Sequence, residues 1–446
     1  MMKNAAVPLF FIYLAAVVLI GLRCTRKVRT ADDFYVAGRR AGALNVAGSL
    51  LATVLGSSAI LGSVDFAYAK GWAGAWFMLC GALGLAGLFF MVKALASFKV
   101  YTLPELLGNF YGPQVRRAAS GVIALAWLGV IGAQLIGAGM ITATSCGIPY
   151  RSAVLLITLV LALYTAMGGQ FSILHTDLFQ LFFVLAGIGT MFLMLFLKQP
   201  QLEAAPLISG KFTSSDLAVM VVAYSSTYLV GPDIYSRLFC ARDLPTLRRS
   251  LLMAVTVLVP LAFILAYLGI YGANFHPEAG KGNVLFFIAN AEFPRPMVLL
   301  LYFTILSAIM SSADTTLFTS ASLLTEFFIP DMGDAARSIR TTRICVVCIA
   351  VMACAIALFS KSILDVLLFA LSIYSGAFVL PAVWGLLGRR TGRIHAVCAM
   401  LIGGLLALAG KVTGGKTGNI LVIAAFVLSL LILLAGEISR QQRSGS

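Results

Sequence analysis

Ala223-Tyr224-Ser225-Ser226-Thr227-Tyr228-Leu229-Val230-Gly231-Pro232-Asp233 lies in the middle of an apolar run, residues 215–239, that is long enough to cross a bilayer. Proline has no N–H and clashes with the preceding turn, so a helix here must bend or open at Gly231-Pro232. A second run, 43–69, is interrupted in the same way, by Gly56-Ser57-Ser58 and then Gly62-Ser63. If spans 2–6 and 7–11 form two five-helix halves, both breaks fall in the first helix of a half. Matched interruptions of this kind point to a transporter binding site built from unwound backbone. Gly and Ser as mere packing residues would explain either break alone better than the pair.

Working outward, the whole chain reads as membrane. Of its 446 residues, 60% are hydrophobic and only 11% charged, against about 25% charged in soluble domains. That composition excludes a soluble globular enzyme, a disordered chain and a coiled coil. Thirteen runs are long enough to span: 5–22, 43–69, 72–97, 116–145, 150–167, 172–197, 215–239, 249–273, 296–328, 342–360, 362–387, 393–410 and 418–436. The first has no clear small-residue cleavage site and reads as a retained anchor rather than a signal peptide.

The net charge of +15 comes from basic residues placed between the runs. It therefore speaks of topology and anionic headgroups, with membrane lipid as a partner and no nucleic acid. With the N-terminus outside and the C-terminus inside, 22 of the 32 Lys and Arg, Arg237 among them, fall in inner loops or at inner span ends. The loops are too short for a separate domain, so chemistry must occur between helices, which argues against an enzyme. Eight cysteines are scattered, mostly in apolar runs. Cys345 and Cys348 form a C-x-x-C without a second ligand pair. The absence of an N-x-S/T sequon favours a prokaryotic source.

Two acids inside spans stand out, because an aspartate at a helix centre costs about 2.5–3.5 kcal/mol on insertion scales. Asp314 lies in the middle of the ninth span and Asp177 near the inner end of the sixth. Around Asp314, helical spacing puts Ala308, Ser311, Ser312 and Thr315 on one face. Hydroxyls, a carbonyl and a carboxylate suit a hard cation such as sodium. Hydroxyls bonding back to the preceding turn would explain the serines and threonines but not the aspartate. His175, near Asp177, reads as interfacial, and Asp65 as lining an outer vestibule or solvated there.

The motifs then resemble those of the sodium:solute symporter family, over about residues 32–390. They are Asp33-Phe34-Tyr35-Val36-Ala37-Gly38-Arg39, Thr102-Leu103-Pro104-Glu105, Gly168-Gly169 with Thr176-Asp177 and Gln180, Pro232 to Arg237 with Ala241-Arg242-Asp243, and Met310-Ser311-Ser312-Ala313-Asp314. Thr102-x-x-Glu105 also reads as a capping box opening a short inner helix. Gly168-Gly169 permits a tight turn between the fifth and sixth spans.

The resemblance implies an all-α, LeuT-type 5+5 inverted repeat with broken helices. It divides the chain into an extra helix and inner loop (1–42), a first repeat (43–198), a second repeat (199–390) and two C-terminal helices with a tail (391–446). It implies a main sodium site from the carbonyls of Ala52, Leu55 and Ala308 and the hydroxyls of Ser311 and Ser312. A second sodium site, present in some members, maps to Asp177, Ser311, Asp314 and Thr315. The aspartate at 314 departs from the all-hydroxyl version and fits either a cation or a proton. Substrate would lie against Val54, Gly56, Ser57 and Ala59, with Trp76, Phe77 and Met78, and further candidates Gln134, Tyr228 and Tyr374. This lining is small or apolar, without the arginine that suits sialic acid or the acid–amide set used for galactose.

The expectation is a sodium-coupled importer of a small organic solute in a bacterial inner membrane, functional as a monomer. The alternatives are a proton-coupled symporter of the same fold and a membrane solute sensor.

Overall fold

The computed structural model describes residues 2–279, 284–329, 334–359 and 363–444. Among them the chain is almost entirely helical, with no strand. The order begins with α1 (Met2–Thr25), the short α2 (Ala31–Val36), α3 (Ala43–Val54), α4 (Ser57–Lys70) and α5 (Trp76–Ala96). It continues with α6 (Leu103–Tyr111), α7 (Pro113–Cys146) and α8 (Tyr150–Phe196). Next come α9 (Ser214–Met220), a π-helical turn at Val221–Ser225, α10 (Ser226–Val230) and α11 (Pro232–Leu238). The remainder is α12 (Leu244–Phe275), α13 (Val284–Glu292), α14 (Arg295–Phe328), α15 (Ala335–Phe359), α16 (Ile363–Leu386), α17 (Arg393–Thr413) and α18 (Gly415–Ser444).

Both expected breaks are present. The run 43–69 divides into α3 and α4 at Leu55-Gly56, where Leu55 (φ −81°, ψ 39°) and Gly56 (ψ 161°) leave helical geometry. The run 215–239 divides at Gly231 (ψ 128°), and Pro232 takes the first position of α11, where its missing N–H costs nothing.

Nine described stretches are individually long and apolar enough to cross a membrane. Two of these stretches each hold two expected runs: Ser57–Ala96 breaks at Gly71 (φ +67°) between the second and third, and Tyr150–Phe196 breaks at Gly169 between the fifth and sixth. The seventh falls into pieces too short to count. Of the eleventh, 362–387, residue 362 and the side chains of 363–373 lie outside the described set. Within α8 the chain still turns sharply where Gly168-Gly169 foretold it. Gly169 has φ +54°, and a Cβ there would sit 2.6 Å from the Phe34 carbonyl oxygen.

Helix starts follow from side chains that answer orphan N–H groups. Thr30 and Asp33 form a reciprocal capping box on α2. Thr102 Oγ1 accepts from the Glu105 N–H (3.2 Å), while Glu105 reaches one residue further back than the capping box predicts, to the Tyr101 N–H (2.8 Å). Asp243 Oδ1 caps α12 at the Thr246 N–H (2.8 Å).

Helix α14 is the axis of the bundle, against α7, α8, α15 and α3. Every residue from Thr304 to Leu323 is buried. Gly187 lets α8 come close, since a Cβ there would overlap Thr304, whose hydroxyl donates to the Phe183 carbonyl at 3.0 Å. Large apolar side chains such as Phe90 (84% exposed) and Phe359 (88%) face outward, as expected of a lipid-facing surface.

Candidate ion and solute sites

The break after α3 frees backbone acceptors. The last carbonyls of a helix have no partner four residues on. Those of Ala52 and Thr53 are met by α14 instead. Ser311 Oγ lies 3.0 Å from the Ala52 oxygen, and Ser312 Oγ lies 3.4 Å from the Thr53 oxygen. The same hydroxyls reach the Ala308 carbonyl at 3.3 and 3.2 Å. Ala52, Leu55, Ala308 and Ser311 are fully buried, and Ser312 nearly so. Gly56 makes the approach possible: a Cβ there would stand 2.9 Å from Ser312 Oγ.

Four of the five expected main-site residues thus meet at one crossing. Leu55 is at the break itself, its N–H bonded to the Leu51 oxygen at 2.8 Å. Thr53, whose carbonyl faces Ser312, was not foreseen, because a backbone acceptor leaves no mark in residue type. Carbonyls freed by a break plus two hydroxyls, buried and without a charge of their own, are a donor set that fits a hard monovalent cation.

The second set lies one turn further along α14 and is charged. Arg237, counted from sequence among the inner span ends, is fully buried on α11. Its Nη2 pairs with Asp177 Oδ2 at 3.0 Å and also reaches Thr315 Oγ1. Its Nε donates to the Ser49 carbonyl (3.1 Å) and its Nη1 to the Asp233 carbonyl (3.1 Å). Ser49 Oγ donates to the same Asp177 oxygen. Asp314 is held separately. Tyr164 donates to its Oδ2 at 3.0 Å, Thr176 lies 3.4 Å from that oxygen, and Thr315 Oγ1 lies 3.2 Å from Oδ1. Among the described residues no Lys, Arg or His nitrogen comes within 4.0 Å of Asp314. The expected quartet is therefore connected: Thr315 touches Asp314, the Ser311 carbonyl (3.0 Å) and Arg237, which holds Asp177. The guanidinium in this network was missed because counting arginines for topology treats each as water-facing.

The solute candidates have different partners. Val54 and Tyr228 come together over Gly81, at 3.2 and 3.5 Å from where its Cβ would be. Phe77 stacks edge-on with Tyr224 (5.4 Å) and Phe66 (5.2 Å). Tyr374 donates its hydroxyl to the Val230 carbonyl, the last of α10, and packs against Trp127 at 4.7 Å. Trp76 is turned to the connecting segment, its indole N–H bonded to the Leu207 carbonyl at 3.2 Å. Met78 and Gln134 are buried, whereas Ser57 and Ala59 are half-buried at the start of α4. His175 is half-buried, its Nδ1 2.9 Å from the Phe171 carbonyl. All eight cysteines are unpaired.

A family profile described as "Sodium:solute symporter family" matches residues 34–403. The chain is 24% identical over 434 residues to the sodium/pantothenate symporter of Escherichia coli (strain K12), covering 88% of each chain. It is 24% identical over 433 residues to the osmoregulated proline transporter OpuE of Bacillus subtilis (strain 168), covering 90% of this chain and 88% of that one. Its fold is similar to the substrate-bound outward-open state of a Na+-coupled sialic acid symporter, with a TM-score of 0.81 at 18% identity over 98% and 97% of the two chains. It is also similar to a nucleobase-cation-symport-1 family transporter in a closed conformation, with a TM-score of 0.61 at 15% identity over 90% and 93%.

Proposed function

The chain belongs to the sodium:solute symporter family, as a multi-pass membrane protein with the LeuT-type fold, and we propose that it imports a small organic solute by coupling it to sodium bound at the α3–α14 crossing. The carrying observation is that the hydroxyls of Ser311 and Ser312 stand on the carbonyls of Ala52 and Thr53 freed by the break. With the cation absent, the hydroxyls satisfy those carbonyls. With it present, the same oxygens turn to the ion and tie α3 to α14, ordering the unwound residues at Gly56 beside the solute. A ligand shifts a conformational equilibrium only through differential affinity for its states. The tie supplies that difference, favouring the outward-open state until solute closes the outer path.

The driving force is adequate. One charge crossing 100 mV gains about 2.3 kcal/mol, and a tenfold sodium gradient adds about 1.4 kcal/mol. The solute would rest against Val54, Gly56, Phe77 and Tyr228, a lining that favours an apolar body. The N-terminus is outside, the C-terminus inside, and the unit is a monomer.

The second reading, proton coupling at Asp314, is favoured by one feature. Arg237 compensates Asp177, whereas Asp314 has hydroxyl donors only among its described partners. The experiment is uptake into proteoliposomes over a panel of amino acids, carboxylates, sugars and bases, under a sodium gradient or a pH gradient. Uptake that requires sodium and ignores the pH gradient supports the first reading. Sodium-free uptake driven by pH replaces it with the second.

A further inference from the structure

A cleft of ≈ 590 Å³ opens at the end of the bundle where α1 stops and α3 begins. Its walls come from the segment after α1, the turn after α2, the first turn of α3 at Asn45, and the second half of α8 at Phe171 and His175. Four cations line it: Arg26, Lys27, Arg29 and Arg40, all exposed. One acid, Asp33, lies among them, with Arg40 near it. Its Oδ2 accepts from the Arg29 N–H (3.2 Å) and the Thr30 N–H (3.1 Å), capping α2. Among the described residues, none of the four cations has a carboxylate within 4.0 Å. Lys27 has an aromatic contact instead, its Nζ 5.2 Å from the centre of the Phe171 ring.

The backbone holds the concentration of charge in place. Ala37 (φ +49°), Gly38 (φ +64°) and Arg39 (φ +52°) are left-handed in succession. Such residues persist only where the surroundings over-determine them. The turn brings Arg40 back beside Asp33: a Cβ on Gly38 would lie 2.8 Å from Asp33 Oδ1 and 3.4 Å from Arg40 Nε.

We propose that this cleft binds a phosphate-bearing anion, either the headgroup of an anionic phospholipid or a free phosphate. Three guanidinium forks and an ammonium around one open volume match phosphate oxygens better than a lone carboxylate. Asn45 and Ser49 lie on the same helix, and Ser49 bonds Asp177, two residues beyond His175 on α8. An anion seated here would therefore lie between the first turn of α3, the helix that carries the Ala52 and Thr53 carbonyls, and the part of α8 that carries Asp177. Its binding is independent of which solute or ion is carried.

The test uses the full-length purified protein in detergent. One arm is native mass spectrometry with equal amounts of phosphatidylglycerol and phosphatidylcholine. The other is thermophoresis with inorganic phosphate against chloride at fixed ionic strength. The variant is Arg29→Gln with Arg40→Gln, and the control is Lys93→Gln with Lys99→Gln at another exposed basic pair, outside this cleft. Losing two charge-assisted contacts should weaken binding about tenfold or more, with the control left near wild type. Retention of phosphatidylglycerol alone identifies a lipid site, and binding of phosphate identifies a soluble one. Equal binding by variant and control, or no preference for either anion in the wild-type protein, overturns the proposal. Should the double variant fail to fold, Arg26→Gln and Lys27→Gln singly must each weaken the same binding, and unchanged affinity in both overturns it.

Discussion

One helical turn separates two polar regions of α14 that are built from similar residues and treat charge in opposite ways. At Ser311 and Ser312 the partners are neutral oxygens, two of them carbonyls released by the break after α3. At Asp314 and Thr315 the neighbours are carboxylates and a buried guanidinium. The first region gathers acceptors that want a cation and does not supply one. The second already holds a cation in Arg237, fixed by two backbone carbonyls and Asp177. The contrast teaches that a coupling ion is best sought where oxygens outnumber fixed positive charge, not simply where acids are found.

The largest expected effect comes from removing the internal cation. Arg237→Ala leaves Asp177 buried without its partner, and breaking a buried pair this way costs about 3–5 kcal/mol. Thermal unfolding in detergent should show a severe loss. Adding Asp177→Ala should recover much of it, and a double variant no better than the single would break the pairing argument.

Next is Gly56→Ala. Its Cβ would press on Ser312 Oγ from 2.9 Å, so the crossing must open or Ser312 must turn away. The apparent sodium affinity of uptake should fall roughly tenfold, equivalent to about 1.4 kcal/mol. An affinity within experimental error of wild type would show that the crossing does not hold the ion.

A smaller effect sharpens the contrast from the other side. Asp314→Asn removes a carboxylate that no described cation approaches within 4.0 Å and keeps an acceptor for Tyr164. If coupling runs through the neutral crossing, sodium affinity should move by no more than about threefold, less than one hydrogen bond's worth. A larger shift, or loss of a pH dependence that wild type shows, would move the ion or the proton to Asp314.

The smallest effect is at Asp33, a carboxylate at the bundle end rather than inside it. Burial pushes its carboxyl up, but hydrogen bonds from Thr30 and from the Arg29 and Thr30 N–H groups, with Arg40 nearby, more than offset this and lower its pKa. The cap's contribution is therefore present above the unfolded value of about 3.9. It is lost as pH falls through the lower folded value. Asp33→Asn should cost about 0.5 kcal/mol near neutral pH. The gap from wild type in melting temperature should close on acidification, and a gap that widens would contradict the assignment.

Much of the fold was legible because its decisive features have residue signatures. Pro232 after Gly231, Gly56 before Ser57-Ser58, and Gly168-Gly169 each force the backbone out of a helix, and each does so in the structure. Ser311 and Ser312 were legible through their spacing with Ala308. What hydropathy could not resolve was the inside of the seventh run, 215–239, which is divided into short helices around a π-helical turn at Val221–Ser225. Arg237 was misjudged for a physical reason. Most arginines near a span end reach water, and only the three-dimensional approach of Asp177 and the Ser49 carbonyl makes a buried one tolerable. The Trp76 indole N–H is held by a connecting-segment carbonyl at Leu207, an acceptor that no motif announces.

The most direct measurement is equilibrium binding of radioactive sodium to the purified protein, comparing wild type with Ser312→Ala. Saturable binding that potassium does not displace, weakened about tenfold when that hydroxyl is lost, is the predicted result. Undiminished affinity in the variant would contradict the assignment of the ion to the crossing of α3 with α14.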